Sequence, residues 1–286
     1  MGRRLVILLG PTCVGKTDYS ISLARRYGSP IISCDSRQIY REMRIGTAVP
    51  SEEQLAAVQH YFIQSKSVTD YYTAGIYERE ALDLIESLFD GGHETLVMTG
   101  GSMFYIDAVC NGLGNVPTAD LSVRAELRSR VDAEGEGFLA SELQRLDPEA
   151  YAAMDLSNTQ RLFRAVEICL TTGRPYSSFR QSSPARRDFE IKKIGLMRPR
   201  EELYDRIDRR VLQMVSDGLV EEVEGLRQYR GLTALETVGY SEIFDYMDGK
   251  TTLDKAVELI QRNTRHYAKR QMTWWKKDRS IEWTGL

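Results

Sequence analysis

Residues 4–17 read RLVILLGPTCVGKT, and this stretch decides the fold. Residues 4–9 form an apolar run that stops at Gly10, which predicts a short buried strand of a parallel sheet. Residues 10–17 match the pattern GxxxxGK[ST], and a helical pattern follows from Lys16 to about Tyr27. Strand, glycine-rich loop and helix in this order predict a phosphate-binding loop. The alternative, a chance turn, is disfavoured because the motif and its context both match.

The residue types of this loop suit a bound diphosphate or triphosphate. Glycine lets the backbone curl so that successive N–H groups point inward, and the helix that follows adds the positive end of its dipole. Lys16 supplies a positive charge, and the Thr17 hydroxyl can bind Mg²⁺. Because many protein classes share such a loop, it does not by itself identify the reaction.

Strand and helix patterns continue to alternate along the chain. Further strands are predicted at 31–35, 95–98 and 189–197, and a helix at 75–90. Later helices are predicted within 201–229, 238–248 and 253–277. This alternation predicts an α/β fold: a parallel sheet like that of P-loop NTPases, flanked by helices, with an inserted, mainly helical domain.

The predicted domains are a core formed by 1–112 and 189–286 and an insertion formed by 113–188. Charge is unevenly distributed across the insertion. Residues 120–155 are mainly acidic, whereas 158–187 contain six arginines and a single acidic residue. The net charge of −3 over 286 residues therefore does not exclude a local basic surface for nucleic acid.

Composition narrows the class of protein further. No run approaches the ~18 apolar residues of a membrane span, and the amino-terminal apolar run is short for a signal peptide, so we expect a cytoplasmic protein and no membrane partner. The four cysteines are widely separated, and the three histidines are scattered. Neither a disulfide framework nor a zinc site is therefore expected.

Asp35 stands at the end of the second predicted strand. In an open parallel sheet, ligands bind outside the carboxyl ends of the strands, so Asp35 is expected to face the phosphate loop. A carboxylate there can take a proton from a nucleophile that attacks the bound donor. A helix N-cap at Asp35 or Ser36 is an equally good interpretation of the position alone.

The motifs taken in order resemble those of the tRNA dimethylallyltransferase family. The similar segments are GPTCVGKT at 10–17, SCDSRQIYR at 33–41, IGTAVP at 45–50, TGGSMFYIDAV at 99–109, NTQRLFRAVEI at 158–168, YDRIDRRVLQMVSDGLVEEV at 204–223 and TRHYAKRQMTWW at 264–275. They extend over nearly the whole chain.

The resemblance implies a reaction and its partners. The dimethylallyl group of dimethylallyl diphosphate would pass to N6 of the adenosine immediately 3′ of the anticodon, in tRNAs that read codons beginning with U. The phosphate loop would hold the diphosphate with Mg²⁺ as cofactor, and the tRNA anticodon stem-loop would be the macromolecular partner. Independently of the resemblance, a monomer is the default expectation.

The resemblance also assigns roles to individual positions. The catalytic residues would be Asp35, as general base, and Ser102, which stands where the family usually has threonine. The diphosphate or nucleotide would be bound by Gly10, Pro11, Thr12, Cys13, Val14, Gly15, Lys16, Thr17 and Arg210. The tRNA would be contacted by Asp35, Ser36, Arg37, Gln38, Ser102, Arg124, Thr159, Gln160, Arg161, Leu162 and Phe163. The basic carboxyl-terminal residues are a further candidate phosphate-contact surface: Arg262, Arg265, Lys269, Arg270, Lys276, Lys277 and Arg279.

Two other functions remain open at this stage. A small-molecule or nucleoside kinase, with ATP in the phosphate loop and Asp35 as base, explains residues 1–110 equally well but not the basic segments. A nucleotide-gated RNA-binding protein predicts no catalytic carboxylate opposite the loop, which Asp35 disfavours.

Overall fold

The computed structural model describes residues 2–114, 117, 120–179 and 184–286. The chain forms two compact units, one made of Met1–Cys110 with Arg187–Leu286 and the other of Asn111–Arg186. These divisions fall two residues before the predicted boundaries at 112 and 188.

Six parallel strands form the sheet in the described part of the first unit, in the order β3-β2-β4-β1-β5-β6. Their bounds are β1 Arg4–Leu9, β2 Ile31–Ser33, β3 His60–Tyr61, β4 Thr95–Thr99, β5 Glu190–Met197 and β6 Ile281–Gly285. β1 lies between β4 and β5, with Leu8 aligned to Thr99 and to Ile194. The loop after β1 therefore emerges between two neighbouring strand ends.

The apolar run of β1 is explained by burial on both faces of the sheet. Leu5, Ile7 and Leu9 pack into one hydrophobic cluster, whereas Val6 and Leu8 pack into another on the opposite side. All five side chains are at most 1% exposed. Since a strand covered on both faces needs no alternation with polar residues, its continuous apolar sequence predicted this position correctly.

Helices cover the sheet and extend the first unit. Their bounds are α1 Lys16–Tyr27, α2 Glu52–Ala57, α3 Ala74–Asp90, α4 Met103–Asn111, α9 Arg200–Ser216, α10 Leu219–Gly225, α11 Tyr240–Met247 and α12 Leu253–Trp275. In the second unit the helices are α5 Leu121–Glu134, α6 Gly137–Leu146, α7 Pro148–Ala153 and α8 Thr159–Thr172. The predicted α/β fold, with a helix-flanked parallel sheet and a helical insertion, is confirmed. Within the described residues, no helix combines the length and apolarity that crossing a bilayer requires.

The structure adds detail that the sequence patterns did not provide. The helical segment predicted at 201–229 is interrupted where Gly218 adopts φ +100°, a conformation that side chains other than glycine rarely take. The short strands β3 and β6 were not predicted, because two to five residues carry too little periodicity. Helix α2 also escaped prediction, although Ser51 and Gln54 form a capping box at its start.

The second unit has its own hydrophobic core, built from α5, α6, α7 and α8. Leu127, Leu139, Leu143 and Val166 meet there with at most 1% exposure. Most acidic residues of 120–155 are exposed on this unit, whereas Asp147 is buried.

Asp147 joins two segments of this second unit. Its buried carboxylate accepts hydrogen bonds from the Ala150 amide at 3.0 Å and from the Ser177 amide at 2.6 Å and hydroxyl at 3.0 Å. Burial opposes ionisation, but these hydrogen bonds outweigh it, so the pKa of Asp147 lies below its ordinary value of 3.8. The ionised carboxylate thus stabilises the fold.

Asp147→Asn should lower the free energy of unfolding by about 1–3 kcal/mol at pH 7. A lowered folded-state pKa gives stability that is complete above the unfolded value and is lost as the pH falls through the folded one. The difference between wild type and variant should therefore shrink as the pH drops below about 4. Urea unfolding at pH 7 and below about pH 4 measures this difference in the free energy of unfolding. Asp132→Asn, at an exposed position, is the control. A difference that does not depend on pH would contradict the role given to Asp147.

Candidate active site

The phosphate loop lies at the carboxyl edge of the sheet and depends on two glycines. Gly10 adopts φ +149°, and a Cβ there would lie 2.7 Å from the Leu196 carbonyl oxygen on β5. Gly15 adopts φ +112° at the start of α1, and none of the described side chains caps this helix. The first N–H groups of α1 are therefore free of a side-chain cap, and their binding of an anion stays a prediction.

Lys16 forms hydrogen bonds with the backbone of the phosphate loop. Its half-buried side chain donates from Nζ to the carbonyl oxygens of Gly10 at 2.8 Å and Pro11 at 2.9 Å. Burial lowers the pKa of Lys16 to about 8, the Asp35 carboxylate opposes this shift, and the Arg210 guanidinium adds to it. A bound diphosphate would add negative charge beside Lys16 and Arg210 and would favour the charged form of Lys16.

Two arginines hold the loop from outside. Arg198 Nε donates to the Val14 carbonyl at 2.8 Å, and Arg206 Nε donates to the Cys13 carbonyl at 2.9 Å. In a trans peptide the carbonyl and the next N–H point in opposite directions, so each bond helps to aim an amide away from the arginine. Neither arginine is among the residues predicted from the sequence. The position of Arg198 directly after β5, at the edge of the sheet where ligands bind, was the available signal.

Asp35 uses its two carboxylate oxygens differently. Oδ1 accepts hydrogen bonds from the amides of Arg37 at 2.9 Å and Gln38 at 3.2 Å, which fixes a turn. Residues 36–39 form turns, so no helix begins there and the N-cap interpretation is wrong in its literal form. Among the described residues, Oδ2 has no hydrogen-bond partner. One carboxylate therefore both orders its own loop and keeps an oxygen available as a proton acceptor.

Ser102 connects the turns that follow β2 and β4. Its Oγ accepts from the Ser36 amide at 2.8 Å and donates to the Ser36 hydroxyl at 2.9 Å. Gly100 packs against the backbone beneath them, since a Cβ there would lie 2.6 Å from the Cys34 carbonyl carbon. The structure thus places Ser102 beside the Asp35 turn, and its catalytic role stays a prediction.

Two cavities meet at these turns. The first, of about 620 Å³, is lined by Lys16, Thr17 and the loop after β1. The second, of about 550 Å³, is lined by Ser36, Arg37, Ser102 and Arg270. The residues that line both are Thr12, Asp35, Thr47, Ala48, Arg210, Met214 and Tyr267. Asp35 and Arg210 therefore stand between the cavity at the loop after β1 and the second cavity.

Arg210 lies where its guanidinium could bind an anion. It comes from α9 and lines both cavities, and no hydrogen-bond or ion-pair partner for its guanidinium is found among the described residues. Since buried or half-buried arginines are normally paired, an unpaired one at the junction favours a bound phosphate group. This placement agrees with the predicted diphosphate contact, which stays a prediction.

The wall of the cavities formed by residues 44–48 is held by Glu222. Its carboxylate accepts hydrogen bonds from the amides of Arg44 at 2.9 Å, Ile45 at 2.7 Å and Gly46 at 2.9 Å, and from the Tyr240 hydroxyl at 2.6 Å. Three successive N–H groups around one carboxylate form a concave anion site that the chain fills itself. The sequence gives no sign of this role for Glu222, because its backbone partners lie about 177 positions away.

Glu222→Ala should reduce the free energy of unfolding by about 1–3 kcal/mol, because it leaves these backbone donors without their acceptor. Urea unfolding of the full chain measures the change. Glu224→Ala, on the exposed side of the same helix, is the matched control and should change stability by less than about 0.5 kcal/mol. Equal effects of the two variants would exclude the proposed support by Glu222.

Residues predicted to contact tRNA in the second unit differ in exposure. Gln160 and Arg161 are exposed, whereas Leu162 is buried in the core of that unit. Arg124 lies over the Phe163 ring at 5.4 Å and pairs with the fully buried Glu167. The guanidinium of Arg124 is therefore oriented by its own unit. The tRNA contacts of all these residues stay predictions.

The basic residues near the carboxyl end lie in different surroundings. Arg265 pairs with Asp208, whereas Arg270 lines the second cavity. Among the described residues there is no cluster of three or more His, Cys, Asp or Glu side chains that could hold a metal ion by itself.

A phosphate loop at the edge of a parallel sheet, faced by a carboxylate and an unpaired arginine, defines an α/β protein of the P-loop type. Comparisons with known proteins narrow this class. Residues 38–278 match the model of the IPP transferase family. The chain is 52% identical over 279 residues to tRNA dimethylallyltransferase 2 of Porphyromonas gingivalis, covering 98% of this chain and 93% of that protein. It is 49% identical over 281 residues to tRNA dimethylallyltransferase 1 of Bacteroides fragilis, with the same coverage.

A solved structure agrees with these relatives. The full-length tRNA isopentenylpyrophosphate transferase of Bacillus halodurans matches with a TM-score of 0.70 and 36% identity, over 99% of this chain and 90% of that one. The chain therefore belongs to the tRNA dimethylallyltransferase family of prenyl-transferring enzymes, as its motifs predicted.

Proposed function

We propose that this enzyme transfers the dimethylallyl group of dimethylallyl diphosphate to N6 of the adenosine immediately 3′ of the anticodon, in tRNAs that read codons beginning with U. The observation that carries the proposal is the junction of the two cavities at Asp35. A diphosphate would lie in the first cavity, on the phosphate loop, Lys16 and Arg210. The adenine would enter the second cavity, beside Ser36, Arg37 and Ser102.

The chemistry follows from these positions. The C–O bond between the dimethylallyl carbon and the diphosphate breaks, the diphosphate leaves with the electron pair, and N6 forms the new C–N bond. Lys16, Arg210 and the loop amides stabilise the charge that develops on the leaving group. Asp35 Oδ2 accepts the proton that N6 loses.

The first cavity suits Mg²⁺ bound together with the substrate. Mg²⁺ usually takes few protein ligands and completes its shell with phosphate oxygens and water. Thr17 and Asp35 offer hydroxyl and carboxylate oxygens in that cavity, a donor set of the right chemistry. Thr17 would hold the ion, which would neutralise part of the diphosphate charge.

The anticodon stem-loop is the proposed macromolecular partner. An adenosine in a loop is already single-stranded, so extruding it costs less than in a duplex. Arg37 and Arg270 are candidate phosphate contacts at the second cavity, and Gln160 and Arg161 are candidates on the second unit. The monomeric state and the cytoplasmic location stay predictions.

Incubation with unmodified tRNA, Mg²⁺ and dimethylallyl diphosphate, followed by nucleoside mass spectrometry, tests the proposal. The expected product is N6-dimethylallyladenosine in the fragment that contains the anticodon loop. The matched control is the same tRNA with guanosine 3′ of the anticodon, which should give none. Absence of product alongside turnover of ATP with a small acceptor would favour a kinase instead.

A further inference from the structure

Gln271 is a fully buried polar side chain near the carboxyl end of α12. Its amide oxygen accepts a hydrogen bond from the Thr12 amide at 2.9 Å, and its amide nitrogen donates to the Gly101 carbonyl at 2.8 Å. Thr12 belongs to the phosphate loop, and Gly101 precedes Ser102 in the turn after β4. One side chain therefore joins the two sides of the candidate site.

The surroundings show that this link is closely fitted. A Cβ on Gly101 would lie 2.7 Å from Gln271 Nε2, so only glycine leaves room for the amide. The Tyr267 hydroxyl, one helical turn earlier on α12, donates to the same Gly101 carbonyl at 3.0 Å. On the other side, Thr12 is followed by Cys13 with φ +65°, a conformation that needs support from its neighbours.

Few residue types can occupy this position. The Thr12 amide requires an acceptor, and the Gly101 carbonyl requires a donor. Glutamine offers both on one planar group, at the distance from the helix that both bonds need. A purely apolar side chain would fill the space but leave a buried donor unsatisfied.

We propose that Gln271 is a positioning residue for the transfer step, which holds the phosphate loop at a fixed distance from the Ser102 turn. This proposal rests on the proposed function, in which these two elements carry the diphosphate and the adenine. Because transfer needs the allylic carbon and N6 in line, a displacement of about 1 Å between the two sides can cost on the order of 10²-fold in rate.

Gln271→Met tests the proposal, since it keeps the volume and removes both hydrogen bonds. The turnover number kcat should fall on the order of 10–10²-fold, while KM for tRNA and for dimethylallyl diphosphate each stay within about threefold. Gln271→Glu keeps the acceptor for Thr12 but turns a carboxylate oxygen toward the Gly101 carbonyl. Its kcat should therefore fall at least as far as that of Gln271→Met. Gln261→Met is the matched control, because Gln261 lies on the same helix and, within the part of the chain that the structure describes, donates to the Asp208 carbonyl alone.

The assay runs well below the thermal midpoint of each variant, with rates normalised to folded protein. A lower midpoint with unchanged kcat would show that Gln271 is merely structural, and so would equal losses in Gln271→Met and Gln261→Met. Either result would overturn the positioning role while wild-type transfer to tRNA still supported the proposed function. Failure of the wild type in the same assay would instead refute the proposed function.

Discussion

Asp35→Asn is expected to slow dimethylallyl transfer by about 10²–10⁴-fold, the range typical for loss of a general base. Asparagine keeps the Oδ1 acceptor for the amides of Arg37 and Gln38, so the turn should persist. Its amide nitrogen replaces Oδ2 and cannot take a proton from N6. Single-turnover rates with saturating tRNA and dimethylallyl diphosphate measure the effect.

Affinity separates this role from a mere tRNA contact. The dissociation constant for tRNA should stay within about threefold of the wild type in Asp35→Asn, because the backbone of the turn is retained. Asp35→Ala removes the turn acceptor as well, so it should also weaken tRNA binding. If Asp35→Asn bound tRNA poorly but transferred at the normal rate once saturated, Asp35 would be a binding residue and not the base.

Lys16→Met is the second variant with a large expected effect. It should reduce kcat/KM for dimethylallyl diphosphate by about 10²–10³-fold, because it removes a charge directed at the leaving group. KM for tRNA should change little, since Lys16 lines the first cavity and not the second. Steady-state kinetics with each substrate varied in turn measure both constants.

Lys192→Met is a suitable control for Lys16→Met. Lys192 lies on β5, pairs with Glu282 near the surface and lines neither cavity. Its replacement should leave both kinetic constants within about twofold. A Lys16→Met enzyme with normal kcat/KM for the diphosphate would show that the phosphate loop does not bind the leaving group.

The parts of the fold that were predicted correctly are those with a strong local signal. β1 and α1 begin and end at the predicted residues, because an apolar run and a glycine-rich loop determine both ends. β6 and β3 were missed, since a short strand is stabilised by pairing with β5 or β2 and not by its own sequence. Sequence also could not show that Gly218 would divide the helical segment between α9 and α10.

The residues of the candidate site likewise divide into those that could be predicted from the sequence and those that could not. Lys16 and Thr17 follow β1 through the glycine-rich loop, and Asp35 lies just after β2, so their gathering at one edge of the sheet could be deduced from topology. Gln271, Glu222 and Arg198 reach the same loops from distant parts of the chain, and nothing in their neighbouring residues reveals it. Each makes contact through a buried or half-buried polar group, and these contacts can be identified only from the folded structure.

The most direct test of the account is a crystal structure of the enzyme with tRNA and an unreactive thiolo analogue of dimethylallyl diphosphate. We predict the diphosphate on Lys16 and the phosphate-loop amides, and adenine N6 within about 3 Å of Asp35 Oδ2, between the two cavities. An adenine on the phosphate loop, or an Asp35 carboxylate directed away from N6, would contradict the account.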